Sequence, residues 1–267
     1  MISFHKYHGA GNDFILFLET DVSHLNDEQL AKTVCNRHTG IGADGMIIVA
    51  LPLQMMFYNA DGSRATMCGN GIRCFAKYVV DYQLVKTQTF SVLTDAGVQH
   101  VKMIKNTMDE SLVEINMGLP QFEHESIPVL PQVTYDKSYD LHHLVLGTIH
   151  TVIRVPVIDE QEVQIVGALL SQHPSFLHQT NVNFCEVIDS KTLKVWTYEK
   201  GVGLTQACGT GATASAYIAH HHYGCCDKLR VLVLGGELSI ELKEDGCYMT
   251  GPAKYVAYGT FIESLAT

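Results

Sequence analysis

Residues 67–75 read MCGNGIRCF and residues 207–215 read ACGTGATAS. In each stretch a cysteine stands directly before Gly-x-Gly, where turn chemistry gives way to helical spacing, which is an unusual place for a structural thiol. After Gly71, the residues Ile72, Phe75, Ala76, Val79 and Val80 recur at the helical period. The first stretch therefore opens a helix buried over much of its circumference. Cys208 follows Cys68 by 140 residues, about half of the 267-residue chain. An internal duplication would produce this spacing, with two similar domains that each present one cysteine at one helix start.

Outward from Cys68, the chain reads as alternating strands and helices. FHKYHGAGNDFILFLE (residues 4–19) is strand, glycine-punctuated loop and strand. Asn26-Asp27-Glu28 supplies a cap and first-turn acids for a helix with Leu30, Ala31 and Val34 inward, ending at Arg37, His38 and Gly40. MIIVA (46–50) and MMFYNADG (55–62) form a hairpin-like pair whose turn delivers the chain to Cys68. Strands are expected at 89–93, 97–105 and 111–117, and MGLP (117–120) breaks the pattern. The expected domains are thus 1–117 and 118–260. The second repeats the plan loosely, with strands near 144–146 and 150–157, a helix near 161–170, strands at 181–188 and 193–198, and then the Cys208 helix.

Composition narrows the function. A 46% hydrophobic content supplies a substantial core, and 18 basic against 28 acidic residues give a formal charge of −10. That charge opposes unassisted binding to nucleic acid or to an anionic membrane surface. No apolar run reaches the roughly 18 residues of a membrane helix, and Met1 begins directly on strand-like sequence, so a cytoplasmic protein is expected. Eight cysteines show no disulfide framework and no CxxC pair, which favours reduced thiols. His220, His221 and His222 fall at a helix end before Gly224, where they complement the helix dipole, so no metal is expected.

A helix start leaves N–H groups without partners and carries partial positive charge, which favours a thiolate and binds carboxylates. Gly69 and Gly71, and likewise Gly209 and Gly211, leave those N–H groups unshielded. Two such cradles facing each other would grip one carboxylate between thiols on opposite sides of the adjacent carbon. One cysteine, as thiolate, would remove the α-proton, and the other, as thiol, would protonate the opposite face. N–H groups aimed at the carboxylate would stabilise the carbanion. Cys35, Cys74, Cys185, Cys225, Cys226 and Cys247 are read instead as small core residues.

On these motifs the sequence closely resembles the diaminopimelate epimerase family, amino-acid racemases and epimerases that use two cysteines and no pyridoxal phosphate. The likeness runs in order through HGAGNDF (8–14), TGIGADG (39–45), FYNADGS (57–63), MCGNGIRCFA (67–76), TNVNF (180–184), YEKGVG (198–203) and ACGTGA (207–212). It implies an α/β (α+β) fold of two pseudo-symmetric domains, each a curved mixed β-sheet or barrel around a central helix, with the last strand (261–267) returning to the first domain. By the resemblance, Cys68 and Cys208 match the family's base and acid, and Gly69, Asn70, Gly209 and Thr210 its helix-start cradles. Asn12, Asn59, Asn181 and Glu199 fall where the family contacts substrate. Their local alternatives are turn asparagines at 12 and 59, a strand start at 181 and a solvated carboxylate at 199.

Three positions depart from the family pattern. Gly147-Thr148-Ile149-His150 replaces Gly-Asn-Pro-His, Lys200 replaces arginine and Leu204 replaces glutamate. The resemblance gives the asparagine and arginine to the distal, non-reacting end of diaminopimelate, and lysine lacks the planar fork that grips a carboxylate bidentately. With Thr148 and Lys200 altering that grip, the expected reaction is cofactor-independent racemisation of an amino acid without a second carboxylate, histidine first, with diaminopimelate as the alternative. A symmetric homodimer is the default expectation. Readings from other classes are a non-catalytic anion-binding module and a thiol redox sensor. Neither accounts for the asparagines that accompany the cysteines.

Overall fold

The computed structural model describes residues 1–262. The chain divides into two units, one formed by Met1–Ile115 with the chain from Gly251 onward, the other by Asn116–Thr250. The second unit thus opens at Asn116 rather than 118, and the return to the first begins at Gly251 rather than 261. Residues 263–267 of the expected last strand lie outside the described residues.

In the first unit the elements run β1 (Ile2–Gly9), β2 (Asn12–Leu18), α1 (Glu19–Val22), α2 (Asp27–Cys35), β3 (Gly45–Ala50), β4 (Gln54–Asn59), β5 (Arg64–Ala65), α3 (Gly69–Asp81), β6 (Thr89–Thr94), β7 (Gly97–Asn106) and β8 (Glu110–Asn116). The second unit carries β9 (Gln132–Thr134), β10 (Ser138–Leu146), β11 (Thr148–Arg154), α4 (Glu160–Ser171), β12 (Asn181–Asp189), β13 (Thr192–Glu199), β14 (Gly203–Leu204), α5 (Gly209–Tyr223), β15 (Lys228–Val233) and β16 (Gly236–Lys243). The long β17 (Gly246–Phe261) gives its first residues to the second unit and the rest to the first.

The two units share one connectivity. In the first, β1 and β2 form a hairpin, β2 pairs parallel with β3 across the α2 crossover, β3 and β4 form a hairpin, and β4 pairs parallel with β6 across α3. In the second, β10 and β11 form the hairpin, β11 pairs parallel with β12 across α4, β12 and β13 form the next hairpin, and β13 pairs parallel with β15 across α5. In each unit the parallel pairs require the helical crossovers that the sequence supplies between them. β17 lies between β1 and β8 and so closes the first unit into a barrel. In the second, the stretch from Met117 to Gln121 bonds to Cys247 on one side and Val145 on the other.

Burial follows from this plan. α3 packs against β1, β2, β3, β4 and β7, and every residue from Asn70 to Val79 is buried. α5 packs against β10, β11, β12, β13, β15 and β16. Its Thr213 and Ser215 are buried because their hydroxyls donate to the carbonyls of Gly209 and Gly211 at 2.9 and 2.8 Å. The other helices cover outer faces. Leu30, Ala31 and Val34 of α2 join Ile15, Phe17, Met46 and Ile48, while Val163, Val166 and Leu170 of α4 join Ile153, Val182 and Phe184. A strand covered on both faces is apolar throughout, which is why β3 reads GMIIVA without alternation.

Asn26 caps α2, its side chain accepting from the Gln29 N–H at 2.9 Å. Replacing it with alanine leaves a first-turn donor unserved and is expected to lower stability by about 1 kcal/mol, read as a shifted urea midpoint at unchanged slope. Among the described residues no helix is long and apolar enough to cross a membrane.

Candidate active site

Each cradle begins with a cysteine in extended backbone geometry that serves as the helix cap. Cys68 has φ −138° and ψ 117°, and its Sγ accepts the Gly71 N–H at 3.4 Å. Cys208 has φ −113° and ψ 108°, and its Sγ accepts the Gly211 N–H at 3.4 Å. The sulfur therefore takes the place that a serine or aspartate oxygen usually fills. Cys68 is half-buried and Cys208 is 7% exposed. In each helix the N–H groups of Gly69 and Asn70, and of Gly209 and Thr210, belong to the first turn beside the cap, where the helix offers no intrahelical carbonyl.

Within the first unit, Asn12 opens β2 and Asn59 ends β4 at the same end of the sheet, since Phe14 and Asn59 both register with Gly45 or its neighbours. Asn59 donates from Nδ2 to Ser63 Oγ at 2.9 Å, and its carbonyl accepts the Gly62 N–H. It is a turn residue as well as a candidate contact. Asn70 is buried, and its Oδ1 accepts from Arg73 at 2.8 Å.

Within the second unit, the corresponding row is Thr148 at the start of β11, Asn181 at the start of β12 and Glu199 at the end of β13. Asn181 Oδ1 accepts the Lys200 N–H at 3.0 Å, which fixes the turn after β13. Glu199 Oε1 accepts from Thr205 at 2.6 Å, and Lys200 Nζ donates to the His178 carbonyl at 3.3 Å. Thr210 Oγ1 lies 3.4 Å from Cys208 Sγ, and a Cβ on Gly147 would stand 3.9 Å from the Thr210 methyl. Thr148, Lys200 and the Cys208 cradle therefore belong to one end of one sheet.

Beneath that cradle lies a buried polar network that sequence reading did not find. Asn183 Oδ1 accepts from Thr197 at 3.0 Å, while its Nδ2 donates to His150 Nδ1 and to the Thr151 carbonyl, both at 3.2 Å. His150 is wholly buried, with its Nε2 lacking a hydrogen-bond partner. Burial, reinforced by the Lys200 cation, depresses it from 6.5 to about 3. The unfolded chain therefore takes up this proton first, and the contribution of neutral His150 to stability is complete above about pH 6.5 and lost as pH falls toward about 3. On acidification from pH 7 to 4, denaturation free energy should fall by up to ~1.4 kcal/mol per pH unit from this group. His150→Gln should flatten that limb in urea titrations.

Burial raises the thiols of Cys35, Cys74, Cys185, Cys225 and Cys247 above the ordinary cysteine range. They stay protonated core residues. The histidine run lies in the last turn of α5, with Gly224 following in the left-handed region at φ 70°, and His220 Nδ1 lies 2.8 Å from the Cys225 carbonyl. No group of three His, Cys, Asp or Glu side chains among the described residues stands ready to hold a metal.

The profile of the family described as diaminopimelate epimerase matches residues 4–123 and 144–256. A protein of Alkaliphilus metalliredigens named diaminopimelate epimerase is 41% identical, covering 99% of this chain and 99% of its own length. One of Clostridium perfringens with the same name is 38% identical, covering 98% of this chain and 100% of its own. Among solved structures, a probable proline racemase from Agrobacterium radiobacter with bound carbonate has a TM-score of 0.71 at 14% identity, covering 98% of this chain and 93% of that one. A hydroxyproline epimerase from Agrobacterium vitis with bound trans-4-hydroxy-L-proline also reaches 0.71, at 11% identity and with 97% and 90% coverage. At these identities the structural likeness bears on the fold alone.

Proposed function

Since the chain belongs to the diaminopimelate epimerase family, and is thus an isomerase of the racemase and epimerase type, we propose that Cys68 and Cys208 are its two acid–base residues and diaminopimelate its substrate. The observation that carries the reading is the repetition of one cap geometry, cysteine Sγ on the N–H three residues later, at the same point of two units with the same connectivity. Inversion by two bases needs one thiol on each face of a single carbon. One thiolate takes the α-proton while the other thiol delivers its own, and the pair ends with the charge exchanged. The mechanism requires the substrate carboxylate to be met by first-turn N–H groups of the kind that Gly69 and Asn70, and Gly209 and Thr210, supply. As the proton leaves, charge grows on that carboxylate, so those donors bind the transition state more tightly than the ground state. In this reading Glu199 and the Asn181 turn, at the same sheet end as the start of β11, serve the substrate's ammonium and distal end.

The relatives' printed name supports placing diaminopimelate first, where the sequence had put histidine first. Lys200 supplies a point charge that a distal carboxylate would meet. A second reading, an amino acid without a second carboxylate such as histidine, is favoured by Thr148, Lys200 and Leu204, where the family pattern has asparagine, arginine and glutamate. Solvent exchange separates the two: α-proton washout in deuterated water is followed for diaminopimelate and for L-histidine side by side. Fast exchange with diaminopimelate alone supports the first reading, fast exchange with histidine alone supports the second, and exchange with no amino acid refutes both.

A further inference from the structure

The two cradles differ in one charged residue. Arg73 lies five residues beyond Cys68 and is wholly buried, while the matching position five residues beyond Cys208 is Thr213. Arg73 Nη1 donates to the Gly69 carbonyl at 2.9 Å, its Nη2 to Asn70 Oδ1 at 2.8 Å and its Nε to the Pro252 carbonyl at 3.2 Å. Thr213 Oγ1 donates to the Gly209 carbonyl, also at 2.9 Å. A hydroxyl thus serves the same carbonyl in the second unit, so that bond alone gives no reason to bury a guanidinium. Its location opposes the helix dipole, because a cation beside a helix N-terminus is unfavourable unless an anion sits there too.

We propose that Arg73 is a positioning residue that charges one cradle and not the other: buried behind the first turn of α3, it fixes the Asn70 amide and favours a negative charge on Cys68, so that Cys68 carries the thiolate of the ligand-free protein and Cys208 the thiol. An arginine donates only, so the Asn70 oxygen must face it and the amide's N–H end is turned the other way. Burial holds the guanidinium below its ordinary range, and the neighbouring Cys74 and Cys68 sulfurs work against that effect. Cys74 is itself raised by burial and stays a thiol, which leaves Cys68 as the sulfur to hold the charge.

Gly9 belongs to the same device. A Cβ there would lie 3.0 Å from the Asn70 carbonyl and 3.2 Å from Arg73 Nη2, so only glycine lets β1 close over the guanidinium. Other charges around α3 do not duplicate it. Asp13 on β2 is bridged by Lys6 of β1 and by Arg37, and Lys77 is bridged by Asp81. Burial lowers His5 and His8 of β1 below the ordinary histidine range, β3 and β4 carry no charged residue, and His100, Lys102 and Lys105 of β7 are exposed.

The inference rests on the two-thiol reading, and its test does not need turnover. Iodoacetamide alkylation of the full chain is followed at each cysteine by peptide mass spectrometry at pH 6 and pH 9. The ratio of the two rates at one sulfur cancels its accessibility and reports its thiolate fraction. In the unaltered protein the ratio should be smaller at Cys68 than at Cys208. Arg73→Thr should raise the Cys68 ratio by about tenfold, as loss of an adjacent opposite charge does, and leave Cys208 unchanged. Arg73→Lys should restore part of the difference. Equal ratios in the unaltered protein, or an unchanged Cys68 ratio in a folded Arg73→Thr variant, overturn the inference. If Arg73→Thr does not fold, the unaltered protein alone decides. Absence of α-proton exchange with the asymmetry intact would sink the racemase reading only, while exchange with equal ratios would sink this inference only.

Discussion

Cys68→Ala and Cys208→Ala should each lower the rate of epimerisation by about 10³-fold, within the range typical for removing a positioned acid or base. The two losses should also differ in a way that a structural defect would not reproduce. A variant left with one thiol can still remove an α-proton from one face and return a solvent deuteron to that face. Each variant should therefore keep slow washout from one epimer and lose it from the other, with opposite preferences for the two variants. Chiral separation after incubation in deuterated water checks this. Equal residual washout from both epimers in either variant would contradict the assignment of one base to one face. Folding should be little affected, because a thiol cap at 3.4 Å is a weak bond and capping residues contribute about 1 kcal/mol even when stronger.

Gly211→Ala should be severely destabilising, and the matching Gly71→Ala nearly neutral. A Cβ on Gly211 would land inside the van der Waals radius of Asn183 Oδ1 and 2.9 Å from Thr197 Oγ1. Asn183 cannot move without breaking its bonds to Thr197, His150 and the Thr151 carbonyl, all in a fully buried setting. Each buried polar group left unsatisfied costs about 1–3 kcal/mol, so a loss above ~3 kcal/mol is expected. A Cβ on Gly71 would meet Cys68 Cβ and Ile47 Cδ1 at 3.3 Å, a crowding that small shifts relieve. Alanine there also gains about 1 kcal/mol in helix propensity over glycine. Urea denaturation of both variants measures the contrast, and similar midpoints would mean that Asn183 yields more easily than its bonds indicate.

Much of this was legible in the sequence because local chemistry and tertiary role agree. Asn26 caps α2 as its spacing predicts, the β6 segment TFSVLT alternates between solvent and core, and both Cys-Gly motifs begin helices. The expected strand at 150–157 stops at Arg154, just before Pro156, which has no N–H for the ladder. What sequence reading missed are the residues whose chemistry runs against their surroundings. Arg73 and Lys77 look like solvent-facing charges on an otherwise apolar helix, yet both are buried, each donating to a backbone carbonyl, Pro252 and Thr107 respectively, that only the folded barrel brings near. Thr213 and Ser215 look polar, but each spends its hydroxyl on its own helix and enters the core as a small apolar residue would. The His150–Asn183–Thr197 network joins residues on three strands, and no single stretch of sequence contains it. The signal that could have found Arg73 is the repeat itself, by asking at each offset from the two cysteines where the copies disagree.

β17 supplies the last strand of both barrels, and synthesis of the chain inherits a timing problem from that fact. Residues 2–9 and 110–116 are made before the second unit, yet the strand that fits between them comes only after it. Until then the first barrel has two unpaired edges of the kind that recruit other chains. Early termination of translation would therefore damage the amino-terminal half of this protein at least as much as the half in which the stop occurs. A fragment ending near residue 115 is expected to aggregate, and adding the 251–262 segment back as a peptide would be the direct way to rescue it.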